Sequence, residues 1–215
     1  MSKKLVLCSD THELHRSLSW PEGDILVHAG DFTMIGRPEK IEEFGKWLHD
    51  SPFSAIIIIA GNHDILFQKK PEKARKLLSK HDKIHYLEDT GCKIDGISFY
   101  GTPWQPEFGD EWAFTLNEEE EELRKKWQNI PTNVQILISH GPPAGILDFT
   151  VDGKHAGSTS LLAEISQRIK PELHIFGHIH EGHGICRITE TIFVNASICN
   201  PNYLPIHSPL VLETS

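Results

Sequence analysis

Ala55-Ile56-Ile57-Ile58-Ile59-Ala60-Gly61-Asn62-His63-Asp64 joins six apolar residues directly to a turn residue and three polar ones. A β-branched run without polar alternation reads as a strand covered on both faces. Gly61 permits a tight turn, and Asn62, His63 and Asp64 can bind cations or exchange protons. Working outward, the pattern recurs four times. Leu5–Cys8 precedes Ser9-Asp10-Thr11-His12, and Ile25–Val27 precedes His28-Ala29-Gly30-Asp31. Ile136–Ile138 precedes Ser139-His140-Gly141, and Leu173–Phe176 precedes Gly177-His178-Ile179-His180.

Between these runs, Pro38–His49 places Ile41, Phe44 and Leu48 on one helical face, and Ser160–Lys170 does so with Leu161, Leu162, Ile165 and Ile169. Strands alternating with helices indicate an α/β class. Lys83–Tyr86, Cys92–Ile94, Ile97–Tyr100 and Thr191–Val194 read as further strands. Some lack an intervening helix, so the sheets are expected to be mixed. Glu118–Glu122, followed by Arg124, Lys125 and Lys126, reads as a solvated helix with Asn117 as N-cap and Glu120 as its partner.

The 215 residues show no internal repeat and no Gly-, Ser- or Pro-rich linker, so residues 1–215 are read as one domain. There is no uninterrupted apolar stretch of about 18 residues, which argues against a membrane span. Met1-Ser2-Lys3-Lys4 runs straight into the first strand, and a cytoplasmic location is expected. The net charge of −9 disfavours a protein that grips nucleic acid through its phosphates. Cys8, Cys92, Cys186 and Cys199 are too scattered for a zinc–thiolate site.

In parallel α/β sheets, functional groups collect at the carboxyl ends of strands. Asp10, His12, Asp31, Asn62, His63, His140, His178 and His180 are thereby expected at one edge. D-x-H and H-x-H put two side chains on the same side of an extended segment. Carboxylate, imidazole and amide donors without thiolate suit first-row divalent ions. Two such ions with two aspartates leave a charge of about +2, attractive to a small phosphorylated substrate.

This motif set, over residues 8 to 180, resembles the calcineurin-like metallophosphoesterase superfamily. Thr102-Pro-Trp-Gln-Pro-Glu-Phe-Gly-Asp110, Ser139-His-Gly-Pro-Pro143 and Asn195-Ala-Ser-Ile-Cys-Asn200 are similar to its metallophosphoesterase-domain-containing members from animal brain and their microbial relatives. The resemblance implies a four-layer αββα sandwich. It implies one divalent metal on Asp10, His12, Asp31 and His180, and a second on Asp31, Asn62, His140 and His178. Manganese is the first expectation, with iron, zinc, cobalt or nickel as alternatives.

His63 would be the general acid, oriented by Asp64, and the reaction would be hydrolysis by a hydroxide bridging the ions. The implied substrates are small nucleotide-like phosphodiesters, including cyclic nucleotides. A phosphomonoesterase, a nuclease or a catalytically weak interaction scaffold are the alternatives. Trp104, Phe108 and Trp112 could stack on a base, or form a packing cluster under their loop. Asn195 could contact substrate or order a turn. His15, His49, His81, His85, His174, His183 and His207 read as structural or surface residues, and His155 as a weak candidate for substrate contact.

The chain departs from the superfamily in two places. Gly30-Asp31-Phe32-Thr33-Met34-Ile35-Gly36 has Met34 and Ile35 where phosphoprotein phosphatases carry Asp and a substrate-binding Arg. Glu13 stands where many relatives have Gly.

Overall fold

The computed structural model describes residues 2–78, 82–109 and 111–214; His81 and Asp110 lie outside that set. Among the described residues there are thirteen strands: β1 (Lys4–Cys8), β2 (Ile25–His28), β3 (Ala55–Ile58), β4 (Ile84–Tyr86), β5 (Thr90–Ile94), β6 (Ile97–Thr102), β7 (Gln105–Pro106), β8 (Thr115–Leu116), β9 (Ile136–Ser139), β10 (Leu173–Phe176), β11 (Gly184–Ile188), β12 (Thr191–Asn195) and β13 (Leu210–Glu213). The helices are α1 (Pro38–Asp50), α2 (Ile65–Lys69), α3 (Pro71–Leu78), α4 (Glu121–Gln128) and α5 (Thr159–Glu164).

Two sheets carry the fold. The first runs β13-β1-β2-β3-β4 and the second β11-β12-β10-β9-β6-β5; β7 and β8 pair separately. Within each, the central strands are parallel, whereas β13, β11 and β5 close the edges antiparallel. The sheets are therefore mixed, as expected.

The period of two within each apolar run explains the layering. Leu5, Leu7, Ile25, Val27, Ile57, Ile138 and Ile175 fill the space between the sheets. The alternate residues Val6, Leu26, Ile56 and Ile58 face α1 through α3, meeting Ile41, Phe44 and Leu48. On the other side, Tyr100, Leu137, Phe176 and Phe193 meet Leu123, Trp127, Leu161, Ile165 and Ile169. This is a four-layer αββα sandwich.

Two local expectations change. Asn117 closes a turn ahead of α4, accepting from the Glu119 N–H at 2.9 Å, and the helix starts at Glu121, preceded by Glu120. α5 begins after Ser158, whose hydroxyl accepts from the Leu161 N–H, and widens into a π-turn over Ile165–Ile169 before Lys170 ends it at φ 47°.

At one edge the two sheets are joined. The Ser9 N–H donates to the Ala196 carbonyl, and the Ile198 N–H to the Ser9 carbonyl, both at 2.9 Å. β1 and β12 thus meet beyond their carboxyl ends, where the ligand-type residues emerge.

Candidate metal centre

Four of the eight ligand-type residues sit on a sharply turned backbone. Asp10, His12, Asp31 and His178 have φ of 54°, 41°, 56° and 66°, the left-handed region that non-glycine residues seldom occupy. Asp10 and His12 are therefore not paired along an extended segment. The turns bring them together, and the expectation from a period of two fails there. His180 starts a 3-10 turn, so the same correction applies to the H-x-H segment.

The side chains converge. Asp10, His12 and His180 form one group whose ligand atoms lie within 4.8 Å of one another. His12, Asp31 and His63 form a second such group, and Asp10, Asp31 and His140 a third. The Asn62 carbonyl oxygen lies 3.0 Å from His140 Nε2, and the His178 ring centre is 5.2 Å from that of His140. All eight are brought to one place, and Asp10, His12 and Asp31 each belong to two of the three groups.

The donor chemistry fits cations. His140 Nδ1 donates to the Ala29 carbonyl at 2.8 Å, and His180 Nδ1 to the Asn200 carbonyl at 2.9 Å. Fixing the proton there turns each Nε2 inward as a donor of electrons. His140 Nε2 then faces the Asn62 oxygen, and His180 Nε2 faces His12 Nε2 at 3.3 Å. Lone pairs directed at one another call for positive charge between them.

Without ions, protons take that place. Burial opposes it, but Asp31 and Asp10 raise His140 to about 9, and the Asp10 bond and charge raise His180 to about 9. Burial would also raise the two carboxylates, yet the surrounding imidazoles hold Asp10 and Asp31 well below their usual range. Burial lowers His12 to about 4 and His178 to about 3. Glycine at 61 and 177 is a matter of space: a Cβ would collide with Asp31 Oδ1 at Gly61 and with Asp10 Oδ2 at Gly177.

The model of the calcineurin-like phosphoesterase family matches residues 3–182. The chain belongs to that family. Membership makes it a metal-dependent phosphoester hydrolase. Metallophosphoesterase domain-containing protein 1 of Homo sapiens is 38% identical to it over 98% of this chain and 70% of its own length. A UPF0046 protein of Caenorhabditis elegans is 38% identical over 92% of this chain and 70% of its own. Among solved structures, TT1561 of Thermus thermophilus aligns with a TM-score of 0.63 at 13% identity, over 91% of this chain and 89% of that one; it supports the fold alone.

In this calcineurin-like phosphoesterase, the ligand cluster opens into a cleft of about 200 Å³. Asp31, Asn62, His63, His178 and His180 form its floor, with Phe108, Trp112, Glu181, Pro201 and Tyr203 around it. Phe108 stacks on Trp112 at 18°, Trp112 lies 4.4 Å from the His63 ring, and Phe108 lies 4.7 Å from that of His178.

Trp104 is not part of this wall. Its indole N–H donates to Asp89 at 2.8 Å, Lys126 Nζ sits 4.0 Å over its ring, and it packs on Phe114. Asn195 is fully buried, and its amide donates to the Leu147 and Ile179 carbonyls, so it orders the H-x-H turn. His155 Nδ1 bonds the buried Asp148 at 2.6 Å and is not among the residues lining the cleft.

Asp64 does not reach His63. Its carboxylate accepts from the N–H groups of Asp31, Gly61 and Thr33 and from the Thr33 hydroxyl. The His63 ring is held by the Met34 carbonyl, to which Nδ1 donates at 2.6 Å, and Nε2 faces the cleft. A short carboxylate is drawn to the cluster of turned N–H groups beside it rather than to the neighbouring ring. Tyr203, for which the sequence offers only its place just after Asn200, is the residue missed: its ring lies 4.8 Å from that of His12.

Proposed function

We propose that the protein is a binuclear phosphodiesterase acting on small nucleotide-like diesters, cyclic nucleotides among them, in the cytoplasm. The ions would sit on Asp10, His12, Asp31 and His180, and on Asp31, Asn62, His140 and His178, with manganese the first candidate. Bound there, they supply a nucleophile from water at neutral pH and offset phosphoryl charge.

The observation that supports a diester is the composition of the cleft. Among the described lining residues there is no Lys or Arg, and Glu181 stands at the rim. A dianionic monoester would want a further cation, whereas a monoanionic diester matches a small positive excess. Met34 and Ile35 at the positions of the Asp and Arg of phosphoprotein phosphatases agree with this.

His63 performs the proton chemistry. With Nδ1 committed to Met34, only Nε2 can give its proton to the departing oxygen. Phe108, exposed and stacked on Trp112, offers a flat apolar face beside the cluster for a base. No helix among the described residues is long and apolar enough to cross a membrane.

The test is turnover of bis-p-nitrophenyl phosphate, p-nitrophenyl phosphate and a panel of cyclic nucleotides by protein reconstituted with manganese. Turnover of every diester that vanishes in Asp31→Ala, with cyclic-nucleotide turnover that also vanishes in His63→Ala, supports the reading. Preference for the monoester, or no turnover with any first-row ion, overturns it.

A further inference from the structure

Tyr203 comes from the loop after the second sheet, far from every motif that builds the cluster. Its backbone is held at φ 58°, a conformation a tyrosine does not adopt without cause. The loop is built around Asn200. The Asn200 side-chain oxygen accepts from the N–H groups of Asn202 and Leu204, both at 3.0 Å, and its carbonyl accepts from the Tyr203 N–H at 2.8 Å. That same carbonyl accepts from His180 Nδ1. One residue thus orients a ligand-type imidazole and fixes the tyrosine over it.

The Tyr203 ring meets His12 and His180 edge-on, and its hydroxyl oxygen lies 3.5 Å from His63 Nε2, lining the cleft. Two donors separated by that distance can serve a common acceptor, since an oxygen about 2.8 Å from each closes the triangle.

We propose that the Tyr203 hydroxyl acts with His63 as a second donor to the oxygen that leaves phosphorus. The inference rests on the phosphodiesterase reading and assigns a further residue to that reaction. A water-derived oxygen forms the new bond to phosphorus as the bond to the departing alcohol breaks, and the electron pair stays on the departing oxygen. The proton on His63 Nε2 moves to that oxygen. Tyr203 keeps its own proton and contributes a hydrogen bond, which gains strength as negative charge develops. It occupies the mouth of a cleft that lacks a cationic side chain among its described lining residues.

Tyr203→Phe is the test, because phenylalanine keeps the ring against His12 and removes only the hydroxyl. Diesters whose leaving groups run from p-nitrophenol through phenol to an alkyl alcohol should separate the effect. The loss in kcat should be slight for p-nitrophenol, which leaves unaided, and reach about 10-fold or more for the alkyl alcohol. A second readout needs no turnover. In metal-free protein labelled with ¹⁵N-histidine, the His63 Nε2 resonance should move on Tyr203→Phe while bound-metal stoichiometry after reconstitution stays unchanged.

An equal loss for every leaving group, or no loss, overturns the assignment while leaving the phosphodiesterase intact. So does an unmoved His63 resonance. Failure of the native protein to cleave any diester removes both, and is told apart by the missing native rate.

Discussion

Glu13 sits at φ 68°, where glycine would rest without strain. Its carboxylate accepts from the Met34 N–H at 3.2 Å and lies 3.6 Å from Lys40 Nζ. Met34 in turn supplies the carbonyl that holds His63. The strained residue therefore steadies the support of the proposed acid, which glycine could not do. Glu13→Gly should keep or raise the melting temperature, since about 1 kcal/mol of left-handed strain is relieved, while diester kcat falls roughly 3- to 10-fold through a looser His63. Thermal melts beside steady-state kinetics decide it; a less stable protein with native kcat would refute the role. Asp64 is different. Asp64→Asn faces three buried N–H groups with an amide and should cost about 2–4 kcal/mol in urea unfolding. The alkaline limb of the pH–rate profile should stay in place, because the carboxylate does not touch the ring of the proposed acid His63. A shifted limb with native stability would restore the orienting role that the sequence suggested.

At the scale of elements, the site depends on how closely β10 approaches β1 at their carboxyl ends. Gly177 follows β10 directly, and a Cβ there would strike Asp10 Oδ2 and Ser9 Oγ. Gly177→Ala should leave the circular dichroism of the sandwich intact but lower bound metal from about two ions to about one per chain, by elemental analysis. Two ions in the variant would mean that this crowding does not govern the site. The central strands were legible because Leu5–Cys8, Ala55–Ile58 and Leu173–Phe176 are buried on both faces and so lack polar residues. The edge strands β11 and β13 are half exposed, and their short runs carry too weak a pattern to announce themselves. The ligand-type residues were legible because each directly follows an apolar run. Their left-handed backbones were not, since a two-residue spacing looks the same whether the chain is extended or turned. For Trp104 and Asn195 the structure selects the packing and turn readings over substrate contact, a choice the sequence could not make. Their polar atoms are claimed by Asp89 and by Leu147 and Ile179, partners 15, 48 and 16 residues away that only the fold brings near.

For the molecule as a whole, buried histidines outside the proposed ligand set govern the response to acid. Among the described residues, His15 has no partner for either ring nitrogen, and it packs against Phe44 and Trp47. His174 Nε2 donates to Ser139, whose hydroxyl is spent on the Gly141 carbonyl, so Nδ1 is a buried lone pair. His28 accepts from the Gly30 N–H through Nδ1 and pairs with Thr11 through Nε2. Burial lowers His15 to about 4, and His28 and His174 to about 3. A lowered histidine stays neutral in the folded chain while the unfolded chain takes up a proton near 6.5. Its stability is present above that value and lost as pH falls towards the folded value. Between pH 7 and 5.5 each should cost about 1 kcal/mol, roughly 3 for the three. In metal-free protein His12 and His178, lowered likewise, add to the loss. His140 and His180 are raised, so the stability they give is fully present below 6.5 and fades as pH rises through about 9; they gain on acidification and offset part of it. Asp64, raised to about 7 by burial and the Asp31 charge, also gains on acidification, whereas His183 and His207 are lowered by burial and add to the losses; the losses still outnumber the three gains, and the sign is unchanged. Urea unfolding of metal-free protein at pH 7 and 5.5 should show the drop, and His174→Asn, which keeps a buried polar group but cannot titrate there, should flatten it. Equal stability at the two pH values would mean that these rings are protonated within the fold, against the buried, unpartnered nitrogens of His15 and His174.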